Sequence, residues 1–184
     1  MGFFDSIGRG IKLIKLDGTA ITEIVSDKSS FLAGWIIILI YGLLSALAIS
    51  IKGSPFDSTK FIEYAIKGIV FGGLYILIIH GIAKLFGGQS KLKEYFSVQS
   101  HVFLFNWLII FTAIQQPIIA AVVTLVVIIW GIVMSIVVVK SVHKLSTGKS
   151  IIVVLVPYII WLLLIIIGGI AYFAVLDPSK FIRP

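Results

Sequence analysis

Residues 118–139 read IIAAVVTLVVIIWGIVMSIVVV, and this stretch decides the fold. It runs for 22 residues without a charge. As a helix it is long enough to cross roughly 30 Å of hydrocarbon, which takes about 20 residues. Gln115-Gln116-Pro117 stands immediately before it, and a further apolar run, about 96–114, precedes those three. Proline suits the first turn of a helix, where its missing N–H is no loss. The two runs are therefore expected to form a tight antiparallel hairpin.

Three more runs of spanning length lie outward from this pair: 31–51, about 65–85, and 151–176. The first is entered through Asp27-Lys28-Ser29-Ser30, residue types that cap a helix N-terminus. The run at 96–114 is the weakest of the five, because it carries Gln99, Ser100, His101 and Asn106. Were it a re-entrant stub, the count would fall to four and the C-terminus would change sides. Composition agrees with a membrane class: 59% of the 184 residues are hydrophobic and 12% charged, against roughly 45–50% and about 25% in soluble domains. Too few polar residues remain to cover a surface in water, and lipid is the solvent that suits the chain. The expected architecture is an all-α integral membrane protein. A short amphipathic helix in a tail of residues 1–30 precedes a bundle of five transmembrane helices over 31–176, and 177–184 form a short tail.

Orientation follows from Lys and Arg. Ten lie on the side of the N-terminal tail (Arg9, Lys12, Lys15, Lys28, Lys84, Lys91, Lys93, Lys140, Lys144, Lys149), and five on the other (Lys52, Lys60, Lys67, Lys180, Arg183). The richer side is expected to be cytoplasmic, placing the N-terminus inside and the C-terminus outside. The same interleaving explains the net charge of +7 without nucleic acid, since the basic residues sit between apolar runs as topology signals and headgroup contacts rather than in one patch. Ala46-Leu47-Ala48 resembles a signal-peptide cleavage site, but thirty residues precede the first run and the site lies inside it. Both features fit an uncleaved span.

The tail carries an amphipathic pattern. At 100° per residue Phe3, Phe4, Ile7, Ile11 and Ile14 fall within about a 100° arc, while Asp5, Arg9, Lys12 and Lys15 face elsewhere; Leu13 and Leu16 break the polar face. A helix with Phe and Ile anchors beside Arg9, Lys12 and Lys15 suits a membrane interface. Packing beneath the bundle is an equally good and compatible use of the same face. Met1-Gly2 with Ser6 fits a myristoylation pattern, but one acyl chain adds little to five spans, and the match reads as coincidence.

No catalytic site is legible. Ser146-Thr147-Gly148-Lys149-Ser150 resembles the end of a phosphate-binding loop, yet His143 stands where that loop needs its first glycine, and a membrane helix precedes it instead of a strand. The chain has no cysteine, hence no disulfide or thiolate chemistry. His80, His101 and His143 all approach the same membrane boundary and are the candidates for metal ligands, since three imidazoles with an open fourth position describe one kind of site. None is paired at i, i+4 spacing and no carboxylate motif accompanies them, so no metal or cofactor is expected. Acidic residues are missing from all five span interiors, and five spans do not divide into inverted halves. Both points disfavour ion-coupled transport, though not a passive pore. Small residues recur four apart: Gly68 and Gly72, Gly42 and Ala46, Gly131 and Ser135. That spacing serves close helix packing in lipid, within one chain or between two. Asn106 needs a hydrogen-bond partner in its span, with Thr112, Thr124 and Ser135 as candidates.

The stretch His80-Gly81-Ile82-Ala83-Lys84-Leu85-Phe86-Gly87-Gly88, followed by Lys91-Leu92-Lys93-Glu94-Tyr95-Phe96, resembles a recurring feature of the Ypt-interacting protein (Yip) domain family. So does Trp130-Gly131 with His143-Lys144-Leu145-Ser146-Thr147-Gly148-Lys149 after the fourth span. The likeness covers about residues 10–175. It implies five spans, a cytosolic N-terminus and, among eukaryotic members, work with Rab-type GTPases in traffic between secretory compartments. The chain departs from that pattern in two ways. Its tail of some thirty residues is short for a separate GTPase-binding domain and lacks a Tyr-Gly-Pro-type signature, and Gln99-Ser100-His101 stands where many relatives have Gly-Tyr-Ser. The Ile- and Lys-rich, cysteine-free make-up suggests a prokaryotic source and hence the cell membrane. The expected function is non-enzymatic membrane organisation or trafficking-type interaction. Its partners are expected to be the lipid bilayer and other membrane proteins or a second copy. A small permease or channel is the alternative.

Overall fold

The computed structural model describes residues 2–52, 57–114 and 116–176. Gln115 of the expected hairpin turn and the 177–184 tail, with Asp177, Lys180 and Arg183, lie outside the described residues. Among those described the fold is all helical: α1 (Phe3–Ile14), α2 (Gly18–Ser26), α3 (Ser30–Lys52), α4 (Ser58–Leu85), α5 (Leu92–Asn106), a 3-10 segment (Trp107–Ala113), α6 (Pro117–His143) and α7 (Thr147–Leu176). Five of these units are long and apolar enough to cross a membrane, and the protein is an integral, multi-pass membrane protein.

Local chemistry sets the ends. Asp57 caps α4, its carboxylate accepting from the N–H groups of Thr59 (2.9 Å) and Lys60 (3.1 Å). The helix therefore begins at Ser58 rather than at about Ala65. Pro117 occupies the first turn of α6, and Lys144 ends that helix in the left-handed region at φ 57°. The polar third run crosses as α5 continued by the 3-10 segment. With rises of about 1.5 and 2.0 Å per residue the two together reach about 36 Å, enough to span, so the re-entrant alternative is not needed.

That run is also the centre of the molecule. Every residue of α5 from Tyr95 to Leu104 is buried, and α5 packs against α1, α2, α3, α4 and α6. Its polar side chains are therefore protected from lipid, where an unsatisfied group costs several kcal/mol, roughly. Close contact between α3 and α4 depends on glycine. A Cβ on Gly68 would lie 2.8 Å from the Cα of Gly42, and one on Gly42 would lie 2.8 Å from the carbonyl oxygen of Ala65. Gly72 faces Ile38 and Phe103 at 3.2 and 3.3 Å. Gly68 and Gly72 are thus used inside the monomer.

Candidate functional site at the tail-bearing end of the bundle

The tail forms two helices, α1 and α2, folded against the bundle rather than one free helix. The inner face of α1 is Ser6, Arg9, Gly10 and Leu13. Leu13, read from sequence as a flaw in the polar face, is fully buried. Gly10 permits the approach, since a Cβ there would collide with the Leu104 side chain and touch His101 at 3.5 Å. Ser6 reaches His101 at 2.7 Å. The other ring nitrogen of His101, Nδ1, is held by the carbonyl of Ser97. A carbonyl only accepts, so Nδ1 donates and, in the neutral ring, Nε2 accepts the Ser6 hydroxyl. Trp130 of α6 donates its indole N–H to the Ile14 carbonyl at 3.0 Å. These contacts join the tail to two spans.

Charge pairing closes the tail on itself. Arg9 bonds Asp27 at 2.6 Å, with 7% of one side chain and 14% of the other accessible. The backbone and hydroxyl of Ser29, then the Arg9 guanidinium, hold the Asp27 carboxyl down to about 2. Arg9 was expected at the interface with Lys12 and Lys15. It lies on the buried face because Asp27 neutralises it there. Lys12 pairs with Glu23 at 2.9 Å on the exposed side, and the hydrogen bond from Glu23 raises the ammonium's pKa. Phe3, Ile7 and Ile14 are half-buried against the core. Phe4 is 84% exposed, with Ile11 and Lys15 on the same open side.

Beside the docked tail, the two turns at this end meet. Gly87, at φ +90°, ends α4 in a conformation that favours glycine. Gly88 then sits over the His143 ring, where any Cβ would lie 2.5 Å from Nδ1 and 2.8 Å from the Ala83 carbonyl. Gln89 donates its backbone N–H to the His143 carbonyl at 3.1 Å, and Lys149 donates to the Phe86 carbonyl at 3.2 Å. The glycine pair and the basic turn after α6 form one latched unit.

The three histidines do not converge. His80 and His143 share a hydrogen bond at 3.3 Å and pack on Tyr95, while His101 is committed to Ser6 and Ser97. No cluster of three His, Asp or Glu suited to a metal occurs among the described residues. From Tyr95 a polar chain that sequence reasoning missed leads inward. Tyr95 donates to Gln99 (3.3 Å), Gln99 to Ser135 (2.8 Å), Tyr75 to Ser135 (3.4 Å), and Tyr158 to Tyr75 (3.4 Å). It draws on α5, α6, α4 and α7, and only the presence of Gln99 in an apolar run signalled it.

Two other sequence expectations need correction. Asn106 does not bond Thr112, Thr124 or Ser135: Thr112 and Thr124 donate to carbonyls of their own helical turns, and Gln99 and Tyr75 occupy Ser135. The Oδ1 of Asn106 is buried without a partner. Within the chain Gly131 does not make a close helix contact: it lines a cavity, where a notional Cβ would lie 3.8 Å from Asn106 Oδ1, an ordinary distance.

A family model for the Yip1 domain matches residues 17–169, the bundle, both latched turns and α2. The chain belongs to the Yip1 domain family. Comparison with curated proteins and with solved structures found no match. Of the residues that suggested this family, 86–88 and 144–146 form the two latched turns, while 80–85 end α4, 92–96 open α5, Trp130-Gly131 lie within α6 and 147–149 open α7. In this Yip1 domain Gly87, Gly88, His80 and His143 serve one contact between the ends of α4 and α6.

Proposed function

We propose that this Yip1 domain protein is non-enzymatic and organises membrane through protein and lipid contacts of the trafficking type, with its tail-bearing end in the cytoplasm. The observation that carries the reading is the two-sided character of α1. Its inner face is locked to the bundle, so Phe4 and Ile11, with Lys12 and Lys15 beside them, are held outward on a rigid support. An apolar and basic edge of this kind suits an anionic leaflet or an acidic partner surface, basic residues near such a leaflet contributing about 1 kcal/mol each. The lysine and arginine distribution supports the orientation. Cysteine placed at exposed Ser146 should react from the cytoplasm and at exposed Ser58 from outside. The functional test is the double variant Phe4→Asp, Ile11→Asp. It should lose co-purifying anionic lipid and partner proteins from native membranes while the bundle stays folded. Wild-type levels of every one of them would sink the reading.

A second reading, a small permease, is favoured by one feature, a cavity of about 520 Å³ lined by residues of α3 to α7. Solute uptake by reconstituted vesicles would separate the two.

A further inference from the structure

The cavity has a chemistry of its own. Its walls include Phe71, Val102, Phe103, Val127 and Ile128, which are apolar. Most of its polar lining is already committed. Gln99, Ser135, Tyr75 and Tyr158 belong to the hydrogen-bonded chain, and Thr124 donates to Ala120. Lys67, the one charged residue among the described lining, pairs with Glu63. Tyr41 and Tyr64, each with a hydroxyl, also line it outside the hydrogen-bonded chain, and two buried atoms are left over: Asn106 Oδ1 and Ser45 Oγ have no partners. In a bilayer such groups demand a partner, because no bulk water is at hand to supply one.

Asn106 also stands where the α-helix gives way to the 3-10 segment. A neighbouring space of about 730 Å³ shares Tyr41, Ser45, Ile49, Ile109 and Thr124 with the cavity and reaches Ala120 and Leu125. It leads between α3 and α6 toward the end of the bundle away from the tail.

We propose that the cavity is an intramembrane binding site for an uncharged, hydroxyl-bearing amphiphile. Its hydroxyl donates to Asn106 and exchanges hydrogen bonds with Ser45, and its hydrocarbon tail follows the groove between α3 and α6. A charged head finds no free counter-charge among the described lining residues, and a wholly apolar ligand leaves both polar groups unanswered. A pocket of this size, mostly apolar with a few convergent polar groups, is of the kind that holds small ligands. This inference stands apart from the reading of the tail.

The test is photolabelling of the full chain in phosphatidylcholine vesicles, with a monoacylglycerol carrying a diazirine in its tail. Labels should fall within residues 41–49 and 120–128. Excess unlabelled monoacylglycerol should cut labelling at least fivefold, while glycerol or further phosphatidylcholine should not. Asn106→Leu should lower it about tenfold. Gly131→Val, whose Cβ makes only ordinary contact with Asn106, should do the same by filling the space, and serves if Asn106→Leu fails to fold. Wild-type labelling in a folded variant would overturn the proposal, as would labels confined to the open face of α7. Competition by glycerol as strong as by monoacylglycerol would instead point to a water-soluble solute. The Phe4→Asp, Ile11→Asp variant should leave the labelling unchanged, so the two readings can fail separately.

Discussion

The third and fifth spans cross the same bilayer in opposite ways. Over its most apolar window, α5 with its 3-10 extension is 56% buried, whereas α7 is 11% buried. Yet α5 with its extension is the least apolar of the five spans and α7 the most. In water that ordering would be reversed. In lipid, burial of apolar surface between helices is not a driving force, so a helix earns its central place by polar groups and close packing. Ser97, Gln99, Ser100 and His101 mark the span that needs neighbours. The run of exposed large side chains from Ile159 to Ile167 marks one that lipid suffices to solvate.

The sharpest way to break this comparison is one substitution made in both environments. A Cβ on Gly34 of α3 would overlap the Ser100 hydroxyl and lie 2.9 Å from the Ser100 Cβ, whereas one on Gly168 of α7 meets nothing within 4 Å. Gly34→Val should cost about 3 kcal/mol or more by overpacking the α3–α5 contact. Gly168→Val should be neutral or gain up to about 0.5 kcal/mol, from the helix propensity that glycine lacks. Unfolding of the two variants in mixed micelles measures the difference. Similar effects would mean that the Gly168 face of α7 has a packing partner.

Which parts were legible follows from the same physics. Long uncharged runs declare the spans because the bilayer sets a length, and ten against five basic residues suggest a side. Hydropathy undervalued α5, the most structural of the five, since its polarity looked like weakness until its neighbours were known. Arg9 read as a solvent-facing or headgroup-facing cation because nothing local reveals that Asp27, across the α1–α2 turn, returns to meet it. Likewise, the family-like glycines of residues 87–88 and the basic turn at 143–149 are far apart in sequence. Only the fold shows that one sits on the other.

The tail provides the next test, since it docks on α5 and α7 has no such cover. Asp27 is held to about 2, against an ordinary carboxyl value of 3.8. Ser29 supplies the larger share of that depression and Arg9 the part that couples to docking of α1. That part contributes stability that is complete above the ordinary value. That stability is lost as pH falls through about 4 toward 2. Hydrogen exchange of the α1 amides should therefore accelerate over that window in the wild type. Asp27→Asn should undock α1 at neutral pH as well, by about 2 kcal/mol, because Arg9 is left facing a neutral group. It should also flatten the acid response. An unchanged exchange profile in the variant would show that the Ser6–His101 and Trp130–Ile14 bonds and the buried Leu13 hold the tail without the Arg9–Asp27 pair.

The smallest expected effect has the opposite sign, and it tests whether every polar residue of the third span serves the fold. Gln99 and His101 are fully engaged, so truncating them removes bonds. Asn106 is different: its Oδ1 has no partner, and Thr112, Thr124 and Ser135, the partners expected for it, are satisfied elsewhere. Replacing a buried unpaired polar group by an apolar one of similar size removes a desolvation cost without breaking anything. In a bilayer the gain is trimmed because the unfolded helix also finds partners. Asn106→Leu should therefore raise the stability of the ligand-free protein by about 1 kcal/mol, read as a higher Tm in neutral detergent. The same variant should lose the Tm increase that added monoacylglycerol gives the wild type. If Asn106→Leu destabilises instead, the amide is bonded in the membrane. The cavity would then be a packing defect beside α5 rather than a site.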